Sequence, residues 1–199
     1  MDDPKKLKRQ KIIEIAAKEF AEKGYDAANI NEIAALSGIG KGSIYLYFKT
    51  KKELFLATME TVVEKFNETS DAIMSLDCSI MDKLKLCLES LIIFDDDYIP
   101  FVILWSRYQF QNHPDFQDEV FEIFKDLRQP FCELLKEGAE QGIFKTPFPE
   151  VTGYLILSMV CMLIPSLQPK NLIFDLPVEK KIEFLINFVL NGLGCNNKN

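Results

Sequence analysis

From Asn29 to Glu53 the chain reads NINEIAALSGIGKGSIYLYFKTKKE, and this run restricts the fold more than any other stretch. Ile30, Ile33 and Ala34 share one face of a short helix that Asn29 can cap, and Glu32 stands at the spacing from which a side chain reaches back to the cap. Gly38 permits the positive φ of a sharp reversal, and Ile39 supplies an apolar plug to bury in it. The spacing predicts a second helix over about Lys41 to Phe48, with Ile44 and Phe48 inward and Lys41, Gly42, Ser43, Tyr45, Leu46 and Tyr47 sharing the remaining surface. Thr50 and Glu53 repeat the capping-box spacing and open a further helix with Lys51 and Lys52 in its first turn. Cations there oppose the helix dipole, at roughly a few tenths of a kcal/mol that a bridging phosphate offsets. Two helices across a tight turn, the second showing cation, hydroxyl and phenol, read as a helix-turn-helix whose outer face suits phosphates and base edges in the major groove.

The same residues carry a family resemblance. The run IAALSGIGKGSIYLYFKTKKEL resembles the signature of the TetR family of bacterial transcriptional regulators, I-A-x-x-A-G-V-S-x-G-x-[LIV]-Y-x-[HY]-F-x-[SNT]-K-E-x-L. In that family the signature follows a helix ending A-x-x-L-F-x-x-x-G-[YF], and here Ala16-Ala17-Lys18-Glu19-Phe20-Ala21-Glu22-Lys23-Gly24-Tyr25 stands in its place. The resemblance implies that Tyr45 and Tyr47 touch the DNA backbone, that Lys51 contacts a phosphate, that Gly42 and Ser43 lie against the groove, and that Phe48 anchors the core. The expected DNA-binding residues are Asn29, Asn31, Lys41, Gly42, Ser43, Tyr45, Leu46, Tyr47, Lys51 and Lys52. Three positions depart from the pattern. Gly40 removes a capping side chain, Leu46 permits only apolar readout such as a thymine methyl, and Leu36 before the turn is expected to affect packing more than function.

Charge divides along the chain in the same sense. Residues 1–52 hold 11 Lys and Arg against 7 Asp and Glu, a net of +4, whereas residues 53–199 hold 12 against 23, a net of −11. A basic head on an acidic body turns the head toward a polyanion. The cluster Lys5, Lys6, Lys8, Arg9 and Lys11 reads either as a solvated helix start or as a source of phosphate contacts.

Beyond Glu53 the spacing of apolar residues is helical almost throughout, with no alternating strand run. Helices are expected over about 50–70, from the Ser79/Asp82 capping box to about Phe94 with Ile80, Leu84, Leu88 and Leu91 on one face, and from Tyr98 to Asn112. The run Asp95 to Asp97 separates the last two. His113-Pro114 is expected to open a long helix reaching Gly142 with a kink at Pro130. Pro147 and Pro149 mark the next start, Pro165 an end or a break, and Pro177 the last start. The expected fold is all-α with about nine helices: a three-helix DNA-binding domain over 1–52 and a larger ligand-binding and dimerisation domain over 53–199.

Tyr154 to Ile164 is apolar almost all round except for Ser158, which predicts burial on more than one side. Phe184 to Leu193 is similarly crowded. Core packing within one chain explains either helix, but the two together suggest a shared interface. The family resemblance implies that the last two helices, about 149–165 and 178–193, pair in a homodimer. Two heads on a two-fold axis would read half-sites about 34–36 Å apart.

Other classes are disfavoured. No apolar run reaches the roughly 18 residues of a membrane span, and the charged start lacks a signal peptide. A cytoplasmic protein follows, and the five scattered cysteines at 78, 87, 132, 161 and 195 read as reduced thiols, with Cys195 the candidate for redox sensing. One histidine, no nucleophile elbow and no phosphate-cradling glycine loop argue against an enzyme, a metal or a cofactor. Lone His113 reads as a helix-start residue, and Asp95 to Asp97 pair with no second ligand set. Most of the 16 Phe, 6 Tyr and 1 Trp are core, yet Phe101, Trp105, Tyr108, Phe121 and Phe124 are candidates to line a pocket. Arg107 is the polar candidate for an anionic ligand there, with an ion pair to Glu119 as the plainer reading.

The function expected is therefore a homodimeric repressor released from a palindromic double-stranded DNA operator by a small hydrophobic or amphipathic inducer. The alternative is a helical ligand-binding or protein-interaction module whose helix-turn-helix is structural only. A cationic, polar face at Lys41, Ser43, Tyr45, Tyr47, Lys51 and Lys52 favours the first.

Overall fold

The computed structural model describes residues 3–93, 98–108, 111, 113–163 and 176–192. Ten helices occur among them: α1 Pro4–Ala27, α2 Ile30–Leu36, α3 Lys41–Ile44, α4 Lys51–Met74, α5 Ile80–Ser90, α6 Ile99–Tyr108, α7 Gln117–Leu127, α8 Gln129–Glu140, α9 Pro149–Leu163 and α10 Val178–Gly192. Asp95 to Asp97, Phe110, Asn112, Ile164, Pro165, Leu193 and Cys195, each given a part by the sequence, lie outside the described residues. The single helix expected from His113-Pro114 to Gly142 is two, α7 and α8, which makes ten helices where nine were expected. Pro130 falls in the first turn of α8. A missing N–H costs nothing there, because the first turn leaves its donors unpaired anyway, so the proline opens a helix instead of kinking one.

By internal packing the chain forms two compact units, residues 1–64 with 95–124 and residues 65–94 with 125–199. In the first, Asp3 caps α1 by accepting from the Lys5 amide at 2.9 Å, and Pro4 fills the opening turn. Ile12, Ile13, Ala16, Ala17 and Phe20 recur at helical spacing and are at most 1% exposed. Ile33 and Ala34 of α2, Ile44 of α3, Phe48, and Leu54 and Phe55 of α4 complete this core with Phe101, Leu104 and Tyr108 of α6, which packs along α1. Phe20, Tyr25, Phe55, Tyr108 and Phe116 form one aromatic cluster with contacting centroids 4.6–6.1 Å apart. Gly24 lets Tyr25 enter it: φ 79° with ψ 168° is a backbone region open essentially to glycine alone. The Tyr25 amide then donates to the Tyr108 hydroxyl at 2.7 Å.

In the second unit, Ser79 opens α5 as its spacing predicts, its Oγ accepting from the Asp82 amide at 3.1 Å and donating to the Asp82 carboxylate at 2.6 Å. Leu84, Leu88 and Leu91 lie on the buried side of α5, and Phe131, Leu134 and Leu135 on that of α8. α8 packs against α5 and α9, and α10 against the same two helices. The Ile143 and Phe144 amides close α8 by donating to the Gly138 carbonyl at 2.8 and 3.0 Å. That return brings the Phe144 ring so close that a Cβ at Gly138 would stand 2.3 Å from its Cδ2. Gly138→Ala is accordingly expected to destabilise the protein by about 1–3 kcal/mol through overpacking, read as a lower thermal midpoint. An unchanged midpoint would show that the ring moves aside freely.

Of the burial expected on several sides of Tyr154 to Ile164, the single chain supplies one side for the described side chains. Ile156, Leu157 and Val160 are buried, but Tyr154 is 43% and Leu155 55% exposed. Periodicity counts apolar residues without showing what covers them, and a single chain covers one side of α9. Among the described thiols, Cys78 is exposed, and burial pushes Cys87 up to about 11, well away from the reactive range. No helix among the described residues is long and apolar enough to cross a membrane.

Candidate nucleic-acid interface

The turn between α2 and α3 has the geometry read from its residues. Gly38 has φ 72°, and the Ile39 amide donates to the Ala34 carbonyl at 3.1 Å while its side chain packs on the core. Asn29 caps α2 through Oδ1, which accepts from Asn31 N at 2.9 Å. The reciprocal bond expected of Glu32 is corrected. Asn29 N donates to Glu19 Oε1 at 3.1 Å, and Glu32 turns to Lys23, which also pairs with Glu19 at 2.9 Å. Glu19 is 6% exposed, so α1 fixes the start of α2 with a buried, paired carboxylate. Ile30 is only half-buried where full burial was expected, because it sits on the opening turn of α2 at the margin of the core.

The recognition helix is shorter than expected. α3 ends at Ile44, and the Leu46 and Tyr47 amides bond three residues back to Ser43 and Ile44 at 3.2 and 3.0 Å, a tightened turn that continues to Phe48. Gly40 caps it without a side-chain bond, as its lack of a side chain requires. Ile44 and Phe48 face inward at 1% and 2% exposure. Lys41 and Gly42 are exposed, Tyr45 is 45% and Leu46 76% exposed, and Ser43 and Tyr47 are half-buried. Asn29 and Asn31 are exposed at the start of α2. Leu36, expected to matter for packing, is instead 66% exposed, because it lies on the side of α2 away from Ile33 and Ala34. Of the N-terminal cations, Arg9 lies 5.0 Å over the Phe48 ring, which ties it to the anchor of this turn.

At the start of α4, Thr50 Oγ1 accepts from Glu53 N at 3.0 Å, and Glu53 reaches back to Lys49 N at 2.7 Å. Both lysines of the opening turn have internal partners that sequence reasoning missed. Lys51 Nζ donates to the Asp26 carbonyl at 3.0 Å and sits 5.0 Å over the Tyr25 ring. Lys52 Nζ pairs with Glu119 Oε1 at 2.5 Å, and that bond holds the Glu119 carboxyl below the usual carboxylate range. The ion pair of Glu119 with Arg107 is thereby corrected: Arg107 Nη1 instead donates to the Phe20 carbonyl at 3.4 Å. The helix start expected at His113-Pro114 falls later: α7 begins at Gln117 after a turn in which the His113 carbonyl accepts from Phe116 N at 3.2 Å and Gln117 N at 3.0 Å, while the His113 ring stacks on Phe116 at 4.1 Å.

The six candidate ligand residues do not share one environment. Phe101 and Tyr108 are buried in the core of the first unit, Trp105 is buried with its ring 6.2 Å from that of Phe124, and Phe121 is 59% exposed. Among the described residues no three His, Cys, Asp or Glu side chains stand together in a metal-binding group.

Comparison with known proteins places these features in a family setting. Residues 12–58 match the family model of the bacterial regulatory proteins, tetR family. Over 195 residues the chain is 24% identical to the uncharacterized HTH-type transcriptional regulator YhgD of Bacillus subtilis, covering 98% of each chain. It is 27% identical over 144 residues to the fatty acid metabolism regulator protein of Bacillus subtilis, covering 71% of this chain and 73% of that one. Its fold is that of the regulator FadR from Bacillus subtilis, solved in complex with stearoyl-CoA, with a TM-score of 0.77 at 20% identity, covering 92% of this chain and 98% of that one.

Proposed function

We propose that this chain, whose residues 12–58 match the model of the bacterial regulatory proteins, tetR family, is a homodimeric transcriptional repressor of that kind, released from a palindromic operator by an amphipathic ligand. The observation that carries the reading is the face formed by Lys41, Gly42, Tyr45 and Leu46, exposed on a turn whose opposite side is locked by Ile44 and Phe48. A packing relic would bury or neutralise that face. DNA binding is assigned to residues 1–52, and ligand binding and dimerisation to 53–199. Residues 95–124 nonetheless pack in the same compact unit as the head, so ligand-driven movement of that segment would reach the DNA-binding residues directly.

An acyl thioester of coenzyme A is the ligand class to test first. The support is the naming of one relative as a fatty acid metabolism regulator and the stearoyl-CoA held by one protein of the same fold. Stearoyl-CoA is expected to raise the thermal midpoint of the protein and to release it from operator DNA, because a ligand bound only by the folded, DNA-free form shifts both equilibria.

Selection of bound fragments from randomised duplex DNA tests the DNA-binding reading. The wild type is expected to recover a palindrome, and Tyr47→Ala with Lys51→Ala together to recover none. Lys51→Ala alone is expected to weaken binding to all sequences alike and to lower the salt slope by about 0.9 per protomer, as loss of one phosphate partner requires. A wild type that selects no motif in low salt would favour an interaction module instead.

A further inference from the structure

The two lysines at the start of α4 are held in physically different ways. Lys51 is held by a carbonyl oxygen and an aromatic face, neutral partners that orient the ammonium and leave its charge available. Lys52 is held by a carboxylate, which cancels its charge. Neither Lys52 nor Glu119 is buried: their side chains are 35% and 46% exposed, so solvent reaches both. A cation in the first turn of a helix also lacks support from the dipole of that helix, so Lys52 has a standing demand for an external anion. Glu119 meets it from the first turn of α7, where a carboxylate is favoured.

We propose that Glu119 occupies the place of a DNA phosphate on Lys52, so that the two compete and the protein binds DNA less tightly than its cations would allow. This rests on the DNA-binding reading above. The exchange is ionic: Lys52 keeps its proton, a phosphate oxygen replaces the Glu119 carboxylate, and the freed carboxylate returns to water. Glu119 acts through Lys52 and is a positioning residue, with no DNA contact of its own.

Affinity for the selected operator, measured across a salt series, tests the competition. Glu119→Gln is expected to bind about two- to fivefold more tightly per protomer at low salt, the range of an exposed ion pair. It is also expected to steepen the salt slope by about 0.9 per protomer, because Lys52 then neutralises one more phosphate. Asp118→Asn removes a neighbouring exposed charge from the same turn and is expected to leave the slope unchanged. In a Lys52→Ala background the effect of Glu119→Gln should vanish. An increase in affinity that survives Lys52→Ala, or an equal increase in Asp118→Asn, would reduce the effect to general charge and overturn the proposal. Equal affinity and slope in wild type and Glu119→Gln would overturn it as well. Without DNA, acetylation of Lys52 by acetic anhydride should rise in Glu119→Gln, and an unchanged rate would show that the pair does not hold in solution. If the wild type binds no duplex, the DNA-binding reading fails, whereas wild-type binding with an unresponsive Glu119→Gln defeats this inference alone.

Discussion

Phe55→Ala is expected to lower stability by about 3–5 kcal/mol, the cost of truncating a fully buried phenylalanine. The side chain is 0% exposed, and its ring meets Phe20 at 5.2 Å, Tyr25 at 5.0 Å, Tyr108 at 5.0 Å and Phe116 at 4.6 Å. These partners come from α1, its C-terminal end, α6 and the approach to α7, so one truncation loosens every element that surrounds the opening of α4. The cavity cannot close cheaply, because Tyr25 is pinned by the hydrogen bond its backbone N–H donates to the Tyr108 hydroxyl and its backbone follows Gly24. Lys51 rests on Tyr25, and DNA binding is therefore expected to fall together with stability. Denaturant unfolding of wild type, Phe55→Leu and Phe55→Ala checks the argument, with Phe55→Leu expected to lose less because it retains most of the volume. A loss below about 1 kcal/mol for Phe55→Ala would mean that the aromatic cluster repacks around the gap.

The parts of this interface legible in the sequence are those governed by contacts a few residues apart. Gly38 and Ile39 announce the turn because a reversal needs one residue free to take positive φ and another to plug the angle. Ser79 and Asp82 announce the start of α5, since a cap and its partner stand three residues apart. Glu32 at cap spacing misleads, because Glu19, ten residues before Asn29, competes for the same amide from a neighbouring helix. The pairing of Lys52 with Glu119 has no local signal at all: both are ordinary charged residues at helix starts, and only the return of the chain through α6 brings them together. The split at Arg128 is nearly legible, since Pro130 is as compatible with an opening turn as with a kink. Leu155 shows the other boundary, because a helix apolar on all sides does not reveal whether its own chain or a second one covers it.

Phe184→Asp with Phe188→Asp should convert the protein to a monomer and lower operator affinity by about 10²-fold or more, the loss expected when two linked binding events become independent. Phe184 and Phe188 are 63% and 57% exposed, one turn apart on α10, with rings 6.2 Å from each other. α9, which packs on α10, leaves Val151 57% and Leu155 55% exposed, and Phe148 just before it is 67% exposed. Apolar side chains grouped in this way on two adjoining helices are what the proposed dimer would bury. Because both phenylalanines lie outside the core, aspartate there should leave the helical content and the thermal midpoint of the single chain nearly intact while charge repels the two-fold mate. Light scattering after size-exclusion chromatography reads the mass, and binding to whole and half operators reads the consequence. A monomer that still binds the palindrome at wild-type affinity would detach dimerisation from DNA recognition, and a variant that remains a dimer would place the interface on another face. If mass and affinity fall together while half-site binding persists, the heads act as weak readers whose operator specificity is created by the pairing of α9 and α10.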